Sequence, residues 1–143
     1  MRIRCAGPLD LLGIYRVERA SFPDPWPLLA FLPYVLEREA LAFVAEESGI
    51  LGFILAFWEG EEVHIHDLAV APEHRRKGVA TALLRALLEA IPSARRVKLE
   101  VRASNQAARA FYEKHGFREI RVLPNYYADG EDGILMVRDL AGG

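Results

Sequence analysis

The stretch His66–Ile91, HDLAVAPEHRRKGVATALLRALLEAI, decides the fold of this chain. The apolar run Leu68–Ala71 has a length typical of the end of a strand. Pro72 stops that strand, because proline has no N–H to donate to a sheet. A basic turn with a glycine follows, and apolar residues then recur with helical spacing: Ala80, Leu83, Leu84, Leu87, Leu88 and Ile91. The sequence therefore predicts a strand, a basic turn and a helix.

The basic turn is a candidate anion site. Arg75, Arg76 and Lys77 come just before the predicted helix. The first turn of a helix has unpaired N–H groups and the positive end of the macrodipole, which attract anions. Gly78 would let the backbone approach a bulky ligand. The pattern is neither a Walker P-loop nor the Rossmann glycine motif. On spacing alone, a solvated basic loop before an ordinary core helix explains the pattern equally well.

Length and composition narrow the class of protein. The chain has 143 residues, 52% of them hydrophobic, and a net charge of −2, which suits one soluble domain over residues 1–143. The charge argues against broad, nonspecific nucleic-acid binding. The longest apolar run, residues 49–58, is too short to span a membrane, and no export leader is recognisable. Cys5 is the single cysteine and is expected to be inert in the core. We therefore expect a cytoplasmic protein.

The rest of the chain predicts the element order β-α-α-β-β-β-α-β-α-β-β, an α/β (α+β) domain with a mixed central sheet flanked by helices. The predicted strands are Arg2–Cys5, Leu41–Glu46, Leu51–Trp58, one ending at Val70, Val97–Arg102, Phe117–Leu123 and Gly133–Val137. Four helices are predicted. The first begins at Pro8, and the others span Leu28–Glu37, Gly78–Ile91 and Asn105–His115. Pro33 should kink or shorten the second helix, and Ser104 should cap the last.

A second motif, LEVRASNQAARAFYEKHGF, occupies Leu99–Phe117. Together with the pattern LAVxPxxRxxGxA at Leu68–Ala80, it resembles the GCN5-related N-acetyltransferase (GNAT) superfamily. Within it, ERASFPDPW at residues 18–26 and NYYADGEDGILM at residues 125–136 resemble the bacterial ribosomal-protein alanine N-acetyltransferases (RimI type). The resemblance implies a single GNAT-like domain that transfers the acetyl group of acetyl-CoA to a protein N-terminal α-amine. The acceptor it implies is the N-terminal alanine of a small-subunit ribosomal protein.

The same resemblance implies roles for individual residues. The backbone of Leu68, Ala69 and Val70 would pair with the pantetheine arm and hold the thioester carbonyl. Backbone N–H groups of the turn and helix start would wrap the pyrophosphate: Arg76, Lys77, Gly78, Val79, Ala80 and Thr81. Asn105 would hydrogen-bond the cofactor beyond the thioester. Glu100 would be the general base and Tyr112 the general acid.

The chemistry needs a base such as Glu100. An α-amine has a pKa of about 8 and is largely protonated at neutral pH, so a carboxylate must take its proton, directly or through a water. On an alternating strand Lys98, Glu100 and Arg102 share one face. An ion pair between Glu100 and one of those cations is the alternative, and the strand pattern alone favours it.

The general acid has an alternative too. Tyr112 lies two helical turns after Asn105, and a phenol there could protonate the departing thiolate. Aromatic residues at such positions usually pack in the core, as its neighbour Phe111 would. We expect direct attack rather than an acyl-enzyme, because Cys5 is remote from both motifs in sequence.

Two histidines project to one face of the strand before Val70. His64 and His66 are two residues apart. A third ligand at a telling spacing is missing from the sequence, so no metal is expected. His64 is the alternative base, since its ordinary pKa lies near neutrality.

Two loops carry large aromatic side chains, Phe22, Trp26, Tyr126 and Tyr127. We expect them to rim the acceptor site, with Glu18 or Asp24 available for the amine. In the alternative, Phe22 and Trp26 anchor a proline-rich loop to the core. Acetylation of a small amine or a lysine side chain, and a non-catalytic acyl-CoA sensor, remain alternative functions. Incubation with N-terminal peptides, lysine peptides and polyamines would separate them.

Overall fold

A computed structural model describes residues 1–140. The strands are β1 Arg2–Cys5, β2 Ala40–Glu46, β3 Ile50–Glu59, β4 Glu62–Val70, β5 Arg96–Arg102, β6 Arg118–Leu123 and β7 Gly133–Asp139. The helices are α1 Leu11–Ser21, α2 Leu32–Leu36, α3 Val79–Ala90 and α4 Gln106–Lys114. The order of these elements is the predicted one. No helix in the described part of the chain is long and apolar enough to cross a membrane.

The strands form one seven-stranded sheet in the order β1-β2-β3-β4-β5-β7-β6. Strands β4 and β5 run parallel, whereas β1 with β2, β2 with β3, β5 with β7 and β6 with β7 are antiparallel. The predicted mixed sheet is therefore confirmed. The parallel register pairs His64 with Lys98, two residues before the candidate base Glu100, and Glu100 itself pairs with Leu135 of β7.

The chain divides into two compact units. The N-terminal unit comprises Met1–Trp58 and Ile65–Pro92, and the C-terminal unit comprises Glu59–His64 and the chain from Ser93 onward. Strand β4 contributes its first three residues to the C-terminal unit and the others to the N-terminal unit. The boundaries 1–143 for a single domain stay a prediction, and the last three residues lie outside the described part.

Apolar periodicity builds the core of the N-terminal unit. Helix α3 buries Leu83, Leu84 and Leu87 of the predicted apolar face, and also Val79, which the predicted spacing did not include. Strand β3 is buried from residue 51 to residue 56 on both faces. A strand buried on both faces has a continuous apolar sequence rather than alternating apolar and polar residues.

The C-terminal unit shows strict alternation in β5. Val97, Leu99 and Val101 are buried, and the residues between them are half-buried. The prediction that Glu100 lies on the face opposite Leu99 and Val101 is therefore confirmed.

Three local predictions are wrong or need adjustment. Residues 28–31 form a 3₁₀ turn, and α2 follows it with Pro33 at its second position, where a helix does not need the missing N–H. Asn105, not Ser104, caps α4, because its Oδ1 accepts the Ala108 N–H at 3.1 Å. Cys5 is exposed rather than in the core, because β1 is an edge strand of the sheet.

Candidate active site

The turn before α3 has two residues in the left-handed region. Arg76 has φ 63° and Gly78, the N-cap residue, has φ 80°. An added Cβ at Gly78 would meet nothing within 4 Å, so the backbone conformation rather than space favours glycine there. Arg75, Arg76 and Lys77 are all exposed, and the Arg75 Nε donates to the Val70 carbonyl at 3.0 Å. Arg75 thus connects the turn to the end of β4, and all three cations lie beside the helix start.

Gly52 lets β3 lie very close to the end of β4. A Cβ at Gly52 would be 2.8 Å from the Ala69 carbonyl oxygen and 3.3 Å from the Val70 Cα. The Ala71 N–H also donates to the Leu51 carbonyl at 2.8 Å. The sequence offers one signal for this contact, a glycine inside an apolar strand, which often marks close backbone approach. The segment predicted to hold the thioester is therefore firmly supported from one side.

Two carboxyl groups meet inside the N-terminal unit. Glu18 is 2% exposed, and its Oε2 accepts the Trp26 N–H at 3.0 Å. Burial and the hydrogen bond with Glu18 raise the pKa of Asp67 far above its ordinary range. Glu18 Oε1 and Asp67 Oδ2 are buried and have no hydrogen-bond partner of their own within residues 1–140. Asp67 therefore keeps its proton at neutral pH, and the burial of Glu18 does not fit its predicted role at the acceptor amine.

The proline-rich loop is anchored by its tryptophan. The Trp26 ring stacks on Phe31 at 5.4 Å and on Tyr34 at 6.0 Å between centroids, while Phe22 is exposed. Burial raises the pKa of Tyr34 to about 12, so its O–H stays protonated, and it is hydrogen-bonded to His66 Nδ1 at 2.7 Å. The anchoring alternative therefore describes Trp26, and the sequence did not signal the Tyr34–His66 contact.

In the C-terminal unit, residues from β3, β4 and β5 form one hydrogen-bonded array. His64 Nδ1 lies 2.8 Å from Glu59 Oε2, and His64 Nε2 lies 2.7 Å from Glu100 Oε1. The two residues that the sequence proposed as alternative bases are thus direct partners. We call Glu59, His64 and Glu100 the carboxylate–histidine array.

The predicted alternative for Glu100, an ion pair with a cation of its own strand, is wrong. Lys98 Nζ contacts Glu59 at 3.1 Å and Glu62 at 3.8 Å. Arg102 binds the carboxylates of the loop before β7 at 2.9 Å. Both cations therefore have other partners, and Glu100 pairs with a histidine.

The carboxylate–histidine array favours one additional proton on the His64 ring. Hydrogen bonds from His64 and Lys98 outweigh burial and lower the pKa of Glu59 to about 2, so Glu59 is a carboxylate and His64 Nδ1 carries a hydrogen. Burial lowers the pKa of His64, but the bonds to Glu100 and Glu59 outweigh it and the net pKa is raised. A 2.7 Å contact between Nε2 and a carboxylate oxygen also requires a proton between them. The charged ring is then stabilised from both sides.

Tyr126, which the sequence pattern placed only at the rim of the acceptor site, contacts the candidate base Glu100. Burial, the charge of Glu100 and a hydrogen bond with Glu100 raise the pKa of Tyr126, so its phenol donates to that carboxylate. Its neighbour Tyr127 packs at 5.0 Å in a T-shaped contact, with the Arg102 guanidinium 4.2 Å from the Tyr127 centroid. An added Cβ at Gly133 would lie 3.1 Å from the Tyr126 ring. That glycine is the sequence signal for the placement of Tyr126.

Helix α4 carries the other two predicted site residues. Tyr112 is buried and packs edge-on against Phe111 at 5.1 Å and Phe117 at 5.3 Å. Asn105 uses its Oδ1 to cap the helix. Tyr112 thus has the aromatic surroundings that the core alternative predicts, and its role as general acid stays a prediction.

Sequence comparison assigns the family. A sequence model described as the acetyltransferase (GNAT) family matches residues 11–117, a range that contains the turn before α3, the carboxylate–histidine array and α4. The chain belongs to the GNAT family of acetyltransferases. The predicted resemblance and the GNAT fold are confirmed, and this GNAT protein is an enzyme of the acetyltransferase class.

Two named relatives match most of the chain. An N-alpha-acetyltransferase of Sulfurisphaera tokodaii is 38% identical, over 97% of this chain and 93% of its own length. The [ribosomal protein bS18]-alanine N-acetyltransferase of Escherichia coli is 33% identical, over 89% of each chain. A crystal structure of the ribosomal-protein-S18-alanine N-acetyltransferase from Escherichia coli superposes with a TM-score of 0.89 at 31% identity, covering 97% of this chain and 93% of that one. The GNAT chain is therefore similar to both kinds of N-terminal acetyltransferase.

Proposed function

We propose that this GNAT enzyme transfers the acetyl group of acetyl-CoA to the α-amine of a protein N-terminus. The observation that carries the proposal is the carboxylate–histidine array, a place where one proton is held between Glu100 and His64 at 2.7 Å. An α-ammonium must lose a proton before it can attack a thioester. Relatives named as N-alpha-acetyltransferases support the N-terminal acceptor. As the specific acceptor we propose the N-terminal alanine of a small-subunit ribosomal protein, in the cytoplasm, supported by the name of the Escherichia coli relative.

In the proposed reaction the array acts as the proton acceptor. It starts without the proton between Glu100 and His64, takes one from the acceptor ammonium, and holds it as imidazolium between two carboxylates. The amine lone pair attacks the thioester carbonyl, an amide bond forms and the C–S bond breaks. The leaving thiolate takes a proton from Tyr112, which we assign as its donor. The second proton, which the amine nitrogen loses as it becomes an amide, restores the Tyr112 phenol. The Tyr126 phenol orients Glu100 by donating to it.

The proposed donor site in the N-terminal unit is formed by the end of β4 and the start of α3. Residues 76–81 include the turn and the first turn of α3, and a helix start beside exposed cations suits a pyrophosphate. The backbone of Leu68, Ala69 and Val70 lies at the end of β4, which suits the pantetheine arm and the thioester carbonyl. The Asn105 side chain would contact the cofactor beyond the thioester.

The test separates binding from turnover. We expect Glu100→Gln and Tyr112→Phe each to lose most turnover, on the order of 10² or more, while the Kd for acetyl-CoA changes little. Phe111→Leu, next to Tyr112, is the matched control and should retain most turnover. Full activity in both site variants would reject the assigned roles.

A substrate panel tests the acceptor. Incubation with acetyl-CoA and N-terminal peptides, lysine peptides or polyamines should acetylate only the N-terminal peptides, with the alanine peptide of the ribosomal protein among the best. Transfer to lysine or polyamines alone would reject the proposed acceptor. Binding of acetyl-CoA without transfer to any amine would identify an acyl-CoA sensor instead.

A further inference from the structure

Glu59 is fixed by two partners at the end of β3. Its Oε2 faces His64 Nδ1 at 2.8 Å and its Oε1 faces Lys98 Nζ at 3.1 Å. Because each oxygen has its own partner, the plane of the carboxylate is defined. Gly60, with φ 65°, then turns the chain so that β4 starts beside it. The end of β3 therefore presents one oriented carboxylate to the His64 ring.

We propose that Glu59 is a positioning residue for acetyl transfer, and that it holds the His64 ring with Nδ1 protonated and Nε2 directed at Glu100. The inference rests on the proposed function of the same array. A carboxylate on one ring nitrogen fixes both the tautomer and the orientation of an imidazole. With Nδ1–H held by Glu59, the Nε2 lone pair is the site that receives the incoming proton. Glu59 itself stays on the far side of the ring from Glu100.

The charge of Glu59 also sets how strongly the array holds its proton. His64 faces Glu59 of β3 and Glu100 of β5, and Lys98 of β5 sits behind Glu59. Glu62 of β4 shares Lys98 at 3.8 Å, and Tyr126 donates to Glu100. His66, two residues further along β4, is bonded to Tyr34. The two carboxylates in contact with the ring favour the imidazolium, and removal of either charge should release the proton at lower pH.

Glu59→Gln is the test and Glu62→Gln is the matched control. The two glutamate side chains are similarly exposed, at 42% and 35%, and both contact Lys98, but only Glu59 contacts His64. We expect Glu59→Gln to lower kcat about tenfold or more and to leave the KM for acetyl-CoA within about twofold. The acid limb of the kcat–pH profile should also move to lower pH. Glu62→Gln should change none of these.

A titration of His64 by NMR tests the same inference without turnover. Glu59→Gln should lower the pKa of the His64 ring and reduce the population with hydrogen on Nδ1, whereas Glu62→Gln should leave both near wild type. If both variants titrate like wild type, Glu59 is only a surface partner of Lys98 and the inference is overturned. If the wild-type protein acetylates no N-terminal peptide, the proposed function fails, and the NMR titration still decides the role of Glu59.

Discussion

Asp67→Asn should change how the stability of this protein depends on pH. In the folded chain burial and the hydrogen bond with Glu18 raise the pKa of Asp67, so Asp67 stays protonated well above its ordinary range. In the unfolded chain an aspartate releases its proton at a pKa of about 3.9. Between the pKa of Asp67 in the unfolded chain and its raised pKa in the folded chain, the folded state holds one proton more than the unfolded state. The free energy of unfolding therefore falls as the pH rises through this range.

The pH dependence of the free energy of unfolding can be calculated from one bound proton. A difference of one bound proton gives a slope of about 1.4 kcal/mol per pH unit, or about 4 kcal/mol between roughly pH 5 and pH 8. Asparagine at position 67 would donate an N–H to Glu18 at every pH, and the Trp26 N–H already donates to Glu18 Oε2. Glu18 would then accept hydrogen bonds from two N–H donors. The phenol of Tyr34, with a pKa raised to about 12, does not titrate in this interval.

Urea denaturation at a series of pH values, followed by tryptophan fluorescence, measures the effect. Asp67→Asn should gain stability relative to wild type by up to about 1.4 kcal/mol per pH unit from roughly pH 5 to pH 8. Asp24→Asn, an exposed position in the adjacent loop, is the control and should run parallel to wild type. If the Asp67→Asn and wild-type curves are also parallel, the pKa of Asp67 is not raised in the folded chain and the reasoning is refuted.

Two further predictions concern the elements that carry the site. Asn105→Ala should destabilise the protein by about 1 kcal/mol in thermal or urea denaturation, because the Ala108 N–H loses its cap. Ser104→Ala should be nearly neutral, and an equal loss in both variants would contradict the assignment of the cap. Gly52→Ala should cost roughly 1–3 kcal/mol, because its Cβ would meet the Ala69 carbonyl oxygen at 2.8 Å. It should also raise the KM for acetyl-CoA; an unchanged KM would show that the end of β4 does not hold the donor.

Local patterns were sufficient to predict β4, the turn and α3. Each signal there acts within a few residues: Pro72 ends the strand, Gly78 takes the left-handed conformation, and the apolar spacing sets the buried face of the helix. The cap of α4 shows the limit of such signals. Ser104 and Asn105 are both good capping residues, and local preference does not choose between neighbours.

The contacts of the candidate site depend on strand register and could not be predicted in the same way. Glu59, His64 and Glu100 come from three strands, and their meeting depends on the parallel pairing of β4 with β5 and on the turn at Gly60. The residue pattern within β5 alone places Glu100 on the same face as Lys98 and predicts an ion pair that does not form. The Glu18–Asp67 pair was missed for the same reason, since the two residues belong to α1 and β4.

The exposure of Cys5 makes this enzyme easy to label. The chain has one cysteine, and it lies at the end of edge strand β1 with an exposed side chain. A maleimide dye or spin label would therefore attach at a single known position, without prior removal of other thiols. The label would report on the N-terminal unit, to which both β1 and the turn before α3 belong. Changes in its signal on addition of acetyl-CoA would follow donor binding in the unmodified sequence.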